Sequence, residues 1–320
     1  MMTRSSSPFV NHSGTHWREL WRRDLLSRSL IRHLGGFTPG LAVEWAQAHA
    51  VLDVGCGTGA WARTLARTHP HLDVFGIDTD VAALEMAHTL AFSQDVANTR
   101  FALQDMRTLD ASTLPSDHFD LIHLAFLAEA LLTIDYAALT RSLMRLLRPG
   151  GVLVWTEAEF PLTTSAACER LFALTLQALD RAGQSFFLPA VCVPWKTLAG
   201  PERTFLGITP RLCLWLREAG YEHQRQAVAA LEVSHGQPLS SQFVNAVLEF
   251  GARIQPWLVQ QGVIGEPECL QLREEVYREL RSPEFCGMGY VLTISARKLA
   301  VADSSSCQAD ASSSWQERRD

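Results

Sequence analysis

The sequence has no apolar run of the roughly 18 residues that a membrane-spanning helix needs, so no span is expected. Cysteine is sparse. The seven are Cys56, Cys168, Cys192, Cys213, Cys269, Cys286 and Cys307, an odd number with no Cys-x-x-Cys pair. That pattern argues against a disulfide framework or a zinc site and predicts no metal centre and a reducing, cytoplasmic setting. The first 16 residues lack the apolar core and small-residue cleavage site of a secretory signal. Positive charge is also short: 28 Lys and Arg stand against 34 Asp and Glu, for a net charge of −6. Without a long basic run there is no electrostatic reason to bind nucleic acid. The arginines between Arg18 and Arg32 read as a solvated helix face.

Apolar residues make up 47% of the 320, enough for one large domain with a sizeable insertion. The polar, Ser-rich ends, 1–16 and 302–320, are expected to be disordered around a domain at 17–301. Helical spacing runs from Trp17 to about Leu34 and stops at Gly35-Gly36. Short strands at Val51–Val54, Val74–Ile77, Phe101–Leu103, Phe119–Leu124 and Val152–Thr156 then alternate with helices. One helix follows Asp80 as N-cap, and another, capped by Asp135, ends at Pro149-Gly150-Gly151. This rhythm predicts parallel βαβ crossovers. The blocks 160–208 and 240–285 break it and are expected to form a lid, the second interrupted at Pro256 and at 262–267. Between them a helix starts at Thr209-Pro210, and Gln226–Val233 pairs as an antiparallel hairpin with Tyr290–Ala296.

The densest signal is Val51-Leu52-Asp53-Val54-Gly55-Cys56-Gly57-Thr58-Gly59, a strand ending in a carboxylate and three alternate glycines before a helix. Such a loop lets a ligand approach the backbone and offers amides to a carboxylate. Gly55, Gly57 and Ala60 also satisfy the dinucleotide fingerprint G-x-G-x-x-G/A. Asp78, at the end of the second strand, suits ribose hydroxyls, with Thr79 beside it. Asp105, in Gln104-Asp105-Met106 after the third strand, suits an adenine amine, with Met106 packing by the ring. Asp53 would repel a pyrophosphate but tolerate a ligand carrying an ammonium and a sulfonium. Three carboxylates at strand carboxyl ends line the usual crevice of an open α/β sheet.

Asp53–Gly59, Gly76-Ile77-Asp78, Gln104-Asp105, Phe119-Asp120-Leu121-Ile122-His123 and Leu147-Arg148-Pro149-Gly150-Gly151 together resemble the class I S-adenosylmethionine (SAM)-dependent methyltransferases. The likeness is to the small-molecule group of ubiquinone/menaquinone C-methyltransferases and natural-product tailoring enzymes, and its ordered part covers about 45–160. It implies a doubly wound α/β fold: a seven-stranded sheet of order 3-2-1-4-5-7-6, last strand antiparallel, with helical lid insertions. It places the methionine end of SAM on Gly55, Cys56 and Gly57 within the Asp53–Gly59 loop, the ribose on Asp78, the adenine on Asp105 and Met106, and the sulfonium near Leu124. Two departures stand out. Ala125 and Ala130 replace basic and His residues common in relatives, and no Asn/Asp-Pro-Pro-aromatic motif follows the fourth strand. The second argues against amino-methylation of DNA or glutamine.

Methyl transfer needs alignment above all, and a general base only for a poor nucleophile. His123 and Glu157, near the carboxyl ends of the fourth and fifth strands, are the candidate bases; His12 and His16 are remoter ones. In the lid, Phe186, Phe187 and Trp195, with Phe172, Phe205 and Trp257, suggest a partly apolar pocket for a small acceptor or the lid's own core. A nicotinamide-dependent oxidoreductase, or a SAM-binding protein that transfers no methyl group, remains an alternative. O-, N- and C-methylation, and monomer and homodimer, read alike.

Overall fold

The computed structural model describes residues 17–109, 112–127, 136–184, 186 and 206–299. The expected disordered ends, His12, His16, Ala130, Asp135, Phe187, Trp195 and Phe205 lie outside them.

The first half follows the expected rhythm. α1 spans Trp17–His33, followed by β1 Ala50–Val54, α2 Ala60–Thr68, β2 Asp73–Asp78, α3 Val81–Ser93, β3 Thr99–Leu103, β4 Phe119–Ala125, α4 Tyr136–Leu146 and β5 Leu147–Ala158. Asp80 caps α3, its carboxylate accepting from the Ala83 amide at 3.1 Å. β5 starts earlier than expected. The Pro149-Gly150-Gly151 turn lies inside its irregular beginning, where the register with β4 shifts between Phe119 and Leu121.

The second half adds β6 Leu162–Thr163, α5 Ala166–Arg181, α6 Thr209–Glu218, β7 Glu222–Glu232, α7 Ser240–Gln260, α8 Glu266–Leu280 and β8 Gly287–Arg297. α7 runs through Pro256 where a break was expected. The proline removes one backbone bond, but Val247, Phe250, Ile254, Trp257 and Leu258 on the same helix are buried, and that packing holds it together. The block 160–208 also contributes to the sheet, through β6 paired with β8.

The sheet runs β3-β2-β1-β4-β5-β8, with β7 also paired to β8. β1 to β5 are parallel, and β8 is antiparallel to β5 and to β7. Leaving out the two-residue β6, this is the expected seven-strand order, although α7 and α8 separate β7 from β8 and no hairpin joins them.

Side chains alternate across the sheet. Leu52, Val54, Ile122, Leu124 and Trp155 face a core shared with α4 to α8, while Val51, Val74, Leu121 and Val154 face α2 and α3. α5, α7 and α8 pack on one another, so the described helices of the blocks 160–208 and 240–285 form one layer. The arginines of α1 stay on the solvent side, as expected, while another face of the helix packs on α2, with Leu20 buried beside Ala83 and Met86 of α3. Its one buried charge is Asp24.

Candidate functional site

β1 delivers the glycine loop to the carboxyl end of the sheet. The amides of Gly55 and Cys56 both donate to the Ile77 carbonyl, at 2.8 and 3.0 Å, which ties the loop to β2. Gly57 has φ +53°, and a Cβ there would meet no heavy atom within 4 Å, so the backbone lies open to a ligand. Its amide donates to Asp78 Oδ2 at 2.7 Å, while Asp78 Oδ1 accepts from the Asp80 amide at 2.9 Å. Burial pushes the Asp78 carboxyl above its ordinary pKa, against the pull of these amides.

A cavity of about 500 Å³ sits over this loop. Asp53, Gly55, Gly57, Trp61, Asp78 and His123 are among its walls, and α1 roofs it with Leu20, Leu26, Leu30 and Ile31. Through Arg23, Leu26, Asp78, Asp80 and Phe126 it continues into a crevice of about 510 Å³ between α1 and α7, which also takes in Thr79. A larger cavity, about 630 Å³, opens at the opposite end of the strands near Asp120, Arg148 and Arg297, and none of the glycine-loop residues reaches it. The ligand crevice of an open α/β sheet lies at the strands' carboxyl ends, which favours the smaller pair of cavities.

Asp53 and His123 are register partners on β1 and β4. His123 Nδ1 lies 2.8 Å from Asp53 Oδ1, and both residues are buried. Asp53 Oδ2 is buried with no hydrogen-bond partner among the described residues, beside a cavity its residue lines. A carboxylate oxygen left so costs free energy until a cation reaches it.

The other sequence candidates divide. Cys56 is a buried loop residue; burial first, then Asp53 and Asp78, hold its thiol well above the ordinary value and leave it a poor nucleophile. Gly59 has φ +71° as the N-cap of α2, and a Cβ there would strike Phe101 at 2.6 Å. Asp105 is turned to Arg107, whose Nε and Nη2 reach its Oδ2 at 2.8 and 2.6 Å. Burial would raise the Asp105 pKa, but Arg107 outweighs it and leaves the carboxylate below its ordinary value. Gln104 and Asp105 lie outside the cavity walls, and Met106 reaches the loop with Cε 3.4 Å from a Cβ built on Gly55. Leu124 is fully buried in the core; Ala125, Phe126 and Leu127 form the wall after β4.

Glu157 is 1% exposed, and its Oε1 accepts from the Leu127 amide at 2.9 Å and from Trp155 Nε1 at 3.0 Å. It shapes the chain after β4 and is absent from the cavity walls, whereas His123 is among them. Phe186 packs against Tyr136 and Trp215, at ring-centroid distances of 5.5 and 6.3 Å, away from the cavity. Phe172 and Trp257 are likewise buried in the core. These three described rings lie in the core that the sheet shares with α4 to α8, and none of them lines the cavity.

The α1 roof was not legible in the sequence. Its arginines suggest a solvated face, and a lone Asp24 among them carries no sign of burial. Phe126, with φ +53°, and Leu127 were missed for the same reason: no local pattern marks a side chain that lines a cavity across the fold.

The methyltransferase-domain family matches residues 51–151. A demethylmenaquinone methyltransferase of Deinococcus radiodurans is 31% identical over 215 residues, covering 65% of this chain and 83% of that protein. The chain belongs to the class I SAM-dependent methyltransferase family. Within that family it is also similar to the secondary metabolism regulator laeA of Coprinopsis cinerea, at 32% identity over 153 residues, or 44% of this chain and 34% of the relative. A solved phosphoethanolamine N-methyltransferase 2 of Haemonchus contortus, in complex with SAM, shares the methyltransferase fold at TM-score 0.50 and 13% identity, over 93% of this chain and 60% of that one. The chain spans between about a third and a half of the first curated relatives it matches, at 34%, 37% and 45% of their lengths.

The methyltransferase loop suits SAM on this structure's own terms. Asp53 offers an ammonium its Oδ2, a buried oxygen with no hydrogen-bond partner among the described residues, Gly57 leaves the backbone uncovered, and Asp78 stands at the end of the neighbouring strand.

Proposed function

We propose that this chain binds SAM under α1 and transfers its methyl group to a small, partly apolar molecule, in secondary metabolism. The observation that carries the reading is the unpartnered Asp53 Oδ2 beside the glycine loop. It would repel a pyrophosphate and stabilise an ammonium, which favours SAM over a nicotinamide dinucleotide. When bound, SAM supplies a carbon already activated for in-line displacement.

The chain's own residues do the rest. Asp53 takes the ammonium, Asp78 takes ribose hydroxyls, and the α1 roof excludes water. The acceptor sits in the crevice between α1 and α7, against Leu25, Leu26, Phe126 and Phe250, with Gln242 and Asn245 for its polar groups. Holding it in line can supply about 7–11 kcal/mol of the barrier. Where the acceptor is a hydroxyl that reaches from this crevice into the adjoining cavity, His123, which lines that cavity with its Nδ1 held by Asp53, is the candidate to receive its proton. The net charge of −6 supports a small molecule over a nucleic acid as acceptor. Free thiols at Cys56, Cys168, Cys213, Cys269 and Cys286 support a reducing, cytoplasmic setting.

Calorimetry with SAM and with NAD, followed by a screen of small acceptors for S-adenosylhomocysteine formation, tests this. Tight NAD binding with none for SAM would overturn the cofactor reading. SAM binding without turnover on any acceptor would mark a SAM-binding protein that transfers no methyl group.

A further inference from the structure

Asp24 is 1% exposed on a helix otherwise rich in arginine. Three elements meet at its carboxylate. The Thr58 hydroxyl, from the glycine loop, donates to Oδ1 at 3.0 Å. Arg63, in the second turn of α2 and only 2% exposed, donates Nη2 to the same oxygen at 2.5 Å. Arg28, one turn along α1, reaches Oδ2 at 3.2 Å. Arg63 also holds Gln94 Oε1, at the end of α3, through Nη1 at 2.6 Å.

A buried ion pair is an expensive way to gain stability, because desolvation offsets most of the attraction. Its consequence here is geometric: the buried carboxylate favours the arrangement that keeps both Arg63 and Thr58 on its Oδ1. Here that arrangement fixes Thr58, which lies between Gly57 and Gly59. The loop is thus pinned from two sides, by Asp78 on the Gly57 amide and by Asp24 on the Thr58 hydroxyl. Asp24 belongs to the helix that roofs the cavity, so one carboxylate links the seat of the roof to the loop.

We propose that Asp24 is a positioning residue for the cofactor loop, coupling the seating of α1 to the capture of SAM through Thr58 and Arg63. The inference rests on the SAM reading of the cavity. With α1 seated, the loop is held ready for the ligand; with α1 displaced, Thr58 loses its acceptor, Arg63 loses its counter-charge, and the loop relaxes. By reciprocity, a ligand held between loop and roof tightens α1.

Calorimetry with SAM and hydrogen exchange of α1 test the coupling in the full chain. Wild type must bind SAM; failure at that step refutes the SAM reading and not the role of Asp24. Thr58→Val removes only the hydroxyl link. It should raise the SAM Kd about tenfold, within the usual span of coupling between sites. Thr58→Ser, which restores the hydroxyl, should stay within about twofold of wild type. The double variant Asp24→Leu with Arg63→Met replaces the ion pair by apolar side chains that can keep the fold. In it, SAM should no longer slow amide exchange across 17–33, as it does in wild type. The proposal is overturned if Thr58→Val binds SAM like wild type, or if the double variant keeps both SAM affinity and SAM-dependent protection of α1. A lower Tm with unchanged SAM affinity in either variant shows a merely structural pair and overturns it too.

Discussion

Trp61 lies flat against His123, ring centroids 3.8 Å apart and planes 2° from parallel. The indole covers one face of the imidazole while Asp53 holds its Nδ1, so His123 enters the cavity with its orientation fixed from two directions. Glu157, the other base candidate, is held just as firmly, by the Leu127 amide and the Trp155 indole. The two residues therefore answer differently to substitution. Glu157→Gln keeps an acceptor oxygen and should leave kcat within about threefold. His123→Gln should lower kcat on a hydroxyl acceptor by about 100-fold, the low end for a lost general base, with the SAM Kd changed far less. A kcat loss confined to Glu157→Gln would exchange the two roles.

Asp78→Ala should weaken SAM binding by about 1.5–3 kcal/mol, the usual worth of a hydrogen bond to a charged group. The carboxylate also holds the Gly57 amide, so loop and ligand suffer together. A titration showing wild-type affinity would refute the ribose assignment.

The same carboxyl predicts a pH dependence. Burial raises the folded pKa of Asp78 above its unfolded value. A group so shifted contributes its stability fully below the unfolded value and loses it as pH rises through the folded one, so ionised Asp78 strains the empty fold at neutral pH. Cofactor binding needs that ionised form. SAM affinity should thus fall as pH drops through the raised pKa of Asp78, while the empty protein gains stability from this group on the same descent. Asp78→Asn should bind SAM more weakly at neutral pH and flatten that part of the affinity profile. If the Asp78→Asn profile still follows wild type, the titration belongs to another group.

Gly57 separates ligand space from backbone strain. A Cβ there meets open cavity, but φ is +53°. A β-branched side chain would be strained at that angle, so Val would report on folding as well as binding. Gly57→Ala carries about 1–2 kcal/mol of left-handed strain. It should lower Tm by a few degrees while reducing SAM affinity by more than tenfold. Unchanged affinity would show that the loop does not touch the ligand.

Phe186→Ala should act on stability. The ring is 7% exposed and packed on Tyr136 and Trp215, and truncation of a buried Phe costs about 3–5 kcal/mol. Denaturant melts should show the loss, with acceptor KM and SAM Kd near wild type in protein that remains folded. A raised acceptor KM without a stability loss would return Phe186 to the acceptor pocket.

Features that depend on local spacing are legible in the amino-acid sequence. Apolar runs ending in Asp53, Asp78 and Gln104-Asp105 marked the strand ends, glycines at alternate positions marked the loop, and Asp80 marked a helix start; β1 to β4 and α2 to α3 follow. These features are written in neighbouring residues because backbone geometry and capping act over a few positions. Which faces close on one another follows from the packing of the whole chain. That packing buried Asp24 against Arg63 and Thr58, 39 and 34 residues away, and laid the apolar face of α1 over the cavity while its arginines stayed toward solvent. It set His123 against Asp53 across 70 residues, and turned Glu157 and Phe186 into the core. Burial of a charge or a ring is a property of the whole packed molecule, because it depends on which distant surfaces exclude water together. No local pattern carries that information.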